Sequence, residues 1–140
     1  MRELKYSDII LLPQYSTLRS RSKACTAVHL GSNIDSFVSP IIPANMRAVI
    51  DEDRAFSLSE DYYFYTMHRF GVDPIEFCKR ARNWKTISIS TGVKKEDKDN
   101  ISLLSSLGFR VDYITIDIAH GHSLAMKEMI FAGTNNDQDA

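Results

Sequence analysis

Apolar positions along this 140-residue chain fall into short runs separated by polar stretches, and the runs alternate between two periods. "DIILLP", residues 8–13, reads as a short apolar strand or packed lead-in stopped by Pro13, and "QYSTLRSRSK" after it reads as loop. "PIIPAN", residues 40–45, is expected to be a short buried segment. "DEDRAFSLSED", residues 51–61, can start a helix, because its acids suit the exposed amides and positive end of a helix N-terminus. "YYFYTMH", residues 62–68, is continuous enough in apolar character for a buried strand. In "DPIEFCKRARNW", residues 73–84, Asp73 supplies a cap, Pro74 the first helical position, and Ile75, Phe77, Cys78 and Ala81 an apolar stripe. "TISISTGV", residues 86–93, predicts a strand; "KEDKDNISLLSSLG", residues 95–108, a helix stopped by Gly108; and "VDYITIDIAH" a returning strand.

Four strand-to-loop units separated by helices imply parallel βα packing, since such strands are covered on both faces by crossover helices. An open doubly wound sheet and part of a β/α barrel both fit. Neither GxGxxG nor GxxxxGK[ST] follows a strand, which removes the usual phosphate-binding openings of open sheets and favours the barrel. Residues just after barrel strands face the end where active sites are built. That places Asn45 and Met46, His68 and Arg69, Thr91 and Gly92, and Asp117 through His122 around one expected rim.

Composition narrows the class. With 44% apolar and 25% charged residues the chain suits one globular unit. Seventeen basic against eighteen acidic residues give a formal charge of -1, so overall charge provides no reason to expect a nucleic-acid partner. Cys25 and Cys78 share no CxxC spacing and read as ordinary thiols of a reducing compartment. No run approaches the roughly 18–20 apolar residues of a membrane span, and Pro13 breaks the N-terminal run before it could act as a leader. A cytoplasmic protein is expected.

Asp117 is the chemically pointed residue. A carboxylate at a strand end either accepts backbone amides in the following "AHG" turn or turns outward to accept hydrogen bonds from a ligand. Asp117, His120 and His122, with His68, also permit a metal reading; loop stabilisation is the preferred reading of both His120 and His122, and no metal is expected. Arg69, just beyond an aromatic strand, suits contact with a phosphate or a planar ring. Gly92 reads as a turn residue.

The stretches "YSDIILLP", "STLRSRS", "PIIPANMRAVID", "YFYTMHRF" and "YITIDIAHGHS", in that order from about residue 5 to about residue 123, resemble the N-terminal part of the IMP dehydrogenase and GMP reductase family. "PANMRAVID" with "MHRF" is more similar to its bacterial-type reductase branch. The resemblance implies a partial TIM (β/α)8 barrel, about the N-terminal half plus an N-terminal extension. It implies NADPH-dependent reductive deamination of GMP to IMP and ammonia, with IMP dehydrogenase as the related alternative. It further implies a homotetramer when intact, and a monovalent-cation site, if used, outside this chain.

By the same resemblance Asp117, Ile118 and Ala119 belong to the cofactor segment. Arg69 stands where the animal-type branch has a cofactor-touching lysine. Ser20 and Arg21 reach a neighbouring subunit's cofactor, and Asn45 and Met46 floor the purine pocket. The family's nucleophilic cysteine lies on a later glycine-rich loop that neither Cys25 nor Cys78 matches, so no catalytic residue is assigned within this chain. Residues 124–140 read as an atypical tail or discontinuity, in which "FAG" faintly resembles the family's next strand. If it is physically truncated, the chain is expected to be an inactive nucleotide-binding or structural fragment.

Overall fold

The computed structural model describes residues 5–31 and 36–134. Its helices are α1 (Glu52–Glu60), α2 (Pro74–Arg80), α3 (Lys95–Ser106) and α4 (Leu124–Thr134), and its strands β1 (Ser88–Thr91) and β2 (Tyr113–Ile116). In the first turn of each of the first three helices an acid accepts from backbone amides. Asp51 Oδ1 accepts from Arg54 N at 2.9 Å; Asp73 Oδ1 accepts from Ile75 N and Glu76 N at 2.8 and 3.2 Å; Asp97 Oδ2 accepts from Lys94 N at 2.8 Å. Pro74 opens α2 because the first helical position needs no amide donor. Gly108 ends α3 at φ +69°, a conformation that costs a glycine little.

β1 and β2 pair in parallel, with Ser88 opposite Tyr113 and Thr91 opposite Ile116. On the other edge of β1 the buried chain 64–68 joins through one parallel bridge, Met67 to Ile89, made by Met67 N to Ser88 O (3.0 Å) and Ser90 N to Met67 O (2.9 Å). Among the described residues every pairing between 40 and 118 is therefore parallel. Strand alternation sends Tyr65, Met67, Ile87 and Ile89 toward the helices, where they meet Phe77 and Ile101 in one core. Thr66, His68, Ser88 and Ser90 fall on the opposite face and are buried as well. Ser59 ties α1 to the chain entering β1: its hydroxyl donates to Thr86 O at 3.1 Å and accepts from Thr86 N at 2.9 Å.

The strands' N-terminal ends are closed by an aromatic group. Phe37, Phe64 and Tyr113 stack edge-on or tilted at centroid distances of 5.0–5.8 Å. Phe37 is held by an antiparallel bridge to Val28, and the Tyr113 hydroxyl donates to Leu30 O at 2.6 Å.

Several sequence expectations need correction. Residues 8–13 are neither a strand nor packed: Leu11 is 98% exposed, and no bond within the described residues ties the run to a sheet. Residues 40–45 are likewise not a buried strand, with Ile41 74% exposed. Both runs are apolar enough, but a strand needs a paired neighbour, and neither run has one here. Of four expected barrel strands, two form and a third contributes a single bridge. "FAG" lies inside α4, not in a strand. That helix buries Met129 in the core and is linked to α3 by Lys98 Nζ to Glu128 Oε2 at 3.0 Å. Residues 135–140 of the expected tail lie outside the described residues. No helix among the described residues is long and apolar enough to cross a membrane.

Candidate functional site

The parallel register brings three strand ends together. Asp117 N donates to Thr91 O at 2.8 Å, carrying the ladder one residue past β2 and holding Asp117 beside the end of β1. Its Oδ2 then lies 3.5 Å from Arg69 Nε, with both side chains about one-third exposed (33% and 34%). The Arg69 guanidinium carbon also sits 4.7 Å from the centroid of the Phe70 ring, within cation–π range. Arg69 Nε is covered yet makes no hydrogen bond, so the two charges meet as an ion pair without hydrogen-bond alignment. Among the described residues no amide of the "AHG" turn donates to the Asp117 carboxylate. Its partner is Arg69, and the local capping reading has no support in this geometry.

A pocket of about 230 Å³ opens next to Arg69. Met67 and His68 line it from one strand end, Ser90 and Thr91 from β1, and Lys94 and Asn100 from the start of α3. Its walls carry two cations, Arg69 and Lys94, and two acids, Glu96 and Asp97. His68 is 6% exposed, and its Nδ1 has no hydrogen-bond partner. Asp97 reaches its capping position only because residue 92 is glycine. A Cβ there would lie 2.5 Å from Asp97 Oδ2.

The other candidates are placed differently. Ile118 is half-buried and Ala119 exposed, directly after Asp117. Asn45 has a covered Nδ2 without a partner, while Met46 is 56% exposed; neither lines the pocket beside Arg69. Ser20 caps its own short turn, its Oγ accepting from Ser22 N at 3.3 Å, and Arg21 is exposed in that turn. His120 and His122 are exposed, and His122 lines a separate groove along the start of α4. Among the described residues no group of three or more histidine, cysteine, aspartate or glutamate side chains is arranged to hold a metal ion. Cys78 is buried, and desolvation pushes its thiol up to about 11, so it is not a poised nucleophile; Cys25 is exposed on the N-terminal segment. Lys94, Asp97 and Asn100 escaped the sequence reading. The spacing of Lys94 to Asp97 at a helix start was the available signal.

The chain is 47% identical over 131 residues to the GMP reductase of Mesoplasma florum and 46% identical over 132 residues to that of Helicobacter pylori. These alignments cover 93% of this chain. Over that span the chain is similar to the GMP reductases. It spans only about 40% of the length of the curated GMP reductases it matches. No family model matches it. A solved structure of the inosine 5'-monophosphate dehydrogenase from Legionella pneumophila superposes with a TM-score of 0.71 at 19% identity, covering 95% of this chain and 41% of that one. At that identity the likeness concerns the fold: the parallel α/β arrangement described above is shared with about two-fifths of that enzyme.

Proposed function

We propose that this chain forms the N-terminal part of a (β/α)8 barrel of the GMP reductase type. In the intact protein it supplies the cofactor-facing side of a site for NADPH-dependent reductive deamination of GMP to IMP and ammonia. The observation that carries this reading is the meeting of Arg69 and Asp117 at adjoining strand ends, beside a pocket with two covered nitrogens, His68 Nδ1 and Arg69 Nε, that make no hydrogen bond. The identity to GMP reductases points the same way.

NADPH supplies a hydride in such chemistry. Asp117, Ile118, Ala119 and Arg69 are the residues that would hold it here. An anionic acceptor, a fixed guanidinium and unsatisfied donors suit a ligand that combines phosphates, hydroxyls and an amide. Ser20 and Arg21, exposed on their turn, are free to serve a neighbouring copy in a cytoplasmic homotetramer. Asn45 and Met46 are assigned to the purine floor.

Covalent attack on a purine carbon needs an activated nucleophile, and burial keeps the Cys78 thiol protonated at neutral pH. The chain alone should therefore bind NADPH in preference to NADH without turning over GMP. Fluorescence titration of both nucleotides, paired with an assay of GMP-dependent NADPH oxidation on the mass-verified chain, tests this. Oxidation of NADPH coupled to IMP formation would overturn the expected lack of turnover. Absence of any NADPH binding would reduce the chain to a structural fragment.

A further inference from the structure

We infer that His68 is a ligand-binding residue of the pocket beside Arg69, its Nδ1 making to a polar, uncharged group of the cofactor the hydrogen bond that it lacks in the free chain. The inference rests on the cofactor reading given above and adds a residue to it. Buried polar atoms without partners are few in folded proteins, and each calls for a specific cause. Loose packing is not the cause here. On neighbouring strand ends Ser90 Oγ donates to Met67 O at 2.7 Å, and Thr66 Oγ1 meets Thr115 Oγ1 at 3.2 Å. His68 Nδ1 and Arg69 Nε, on consecutive residues, stay unsatisfied, and both residues line the same pocket. The other two covered atoms without partners, Asn45 Nδ2 and Ser88 Oγ, belong to residues that do not line it.

The charge of the walls selects the chemistry. Arg69 and Lys94 are matched by Glu96 and Asp97, so the pocket has no net preference for an anion or a cation. Donors and acceptors are both present, which suits a carboxamide or a ribose diol. An imidazole meets either, since Nδ1 donates in one tautomer and accepts in the other.

The test follows the ring nitrogens of His68 by long-range proton–nitrogen NMR in the labelled chain, titrated with NADPH and, separately, with inorganic phosphate. The Nδ1 resonance should move saturably with NADPH, at the same midpoint as an independent fluorescence titration, while those of exposed His120 and His122 stay still. His68→Leu should weaken NADPH binding about 3- to 10-fold, the loss of one neutral hydrogen bond. His68→Asn, whose amide nitrogen can occupy the place of Nδ1, should restore affinity to within about 2-fold of the wild type. NADPH binding with unmoved His68 resonances overturns this inference alone. A wild-type chain that binds no NADPH overturns the cofactor reading and this inference with it. An equal response to phosphate would assign the pocket to an anion and overturn the uncharged group. Should the leucine variant fail to fold, the wild-type titration and the asparagine variant still decide.

Discussion

Asp117→Asn separates a binding role from a structural one. The substitution keeps size, removes the charge facing Arg69 and replaces one accepting oxygen with a donor. At 3.5 Å the Coulomb attraction of the pair is about 1 kcal/mol in the dielectric of water and rises to about 5 kcal/mol at an effective constant of 20. With both side chains one-third exposed the lower value applies, and ion pairs so placed contribute about 1 kcal/mol or less once solvent and salt screen them. The strand end is held independently of the side chain, by Asp117 N on Thr91 O. Unfolding in urea should therefore shift by no more than about 0.3–1 M. Loss of a charge-assisted hydrogen bond to the cofactor, by contrast, should weaken NADPH binding about 10- to 150-fold. The two quantities come from the same samples by urea denaturation and fluorescence titration. A urea midpoint lowered by well over 1 M with NADPH affinity unchanged would refute the reasoning and make Asp117 a structural residue.

Gly92→Ala should drive the Asp97 carboxylate off Lys94 N and destabilise the chain by about 1 kcal/mol, the usual cost of a lost helix cap. In an Asp97→Ala background the same change should cost almost nothing, and additive losses in urea melts would refute the steric account. Cys78 has its thiol raised by burial from 9.0 to about 11, so the folded state favours the protonated form. The resulting stability is complete below about pH 9 and falls as pH rises toward 11, with Tyr65, also raised by burial, adding to the loss above pH 10. Urea midpoints across pH 7.5–10.5 should decline accordingly, with the first part of the decline absent from Cys78→Ala. At pH 8 a thiol reagent should label Cys25 quickly and Cys78 only as fast as the chain opens.

Helices were legible wherever the signal was local. Asp73-Pro74 starts α2, Gly108 stops α3, and Asp51 caps α1, because a cap and its amides lie within three residues of each other. Strands were legible only where the structure supplies a neighbour. Residues 86–93 and 111–120 found each other, residues 62–68 found one bridge, and the equally apolar runs 8–13 and 40–45 found none among the described residues. The site shows the same division. Arg69 and Asp117 could each be singled out by chemistry, but their contact depends on the register that places Thr91 beside Ile116. The unsatisfied state of His68 Nδ1 had no sequence signature at all, since it depends on what every surrounding side chain bonds to instead.

The bond from the Tyr113 hydroxyl to Leu30 O spans 83 residues. On a ribosome adding about 5–20 residues per second, the segment carrying Leu30 and Phe37 emerges some 4–17 s before the strand that completes its aromatic group. Throughout that interval Phe37 waits without its final cover while the apolar run at residues 9–12 stays exposed as it does in the folded chain, so synthesis order leaves this N-terminal stretch open to chaperones and to aggregation.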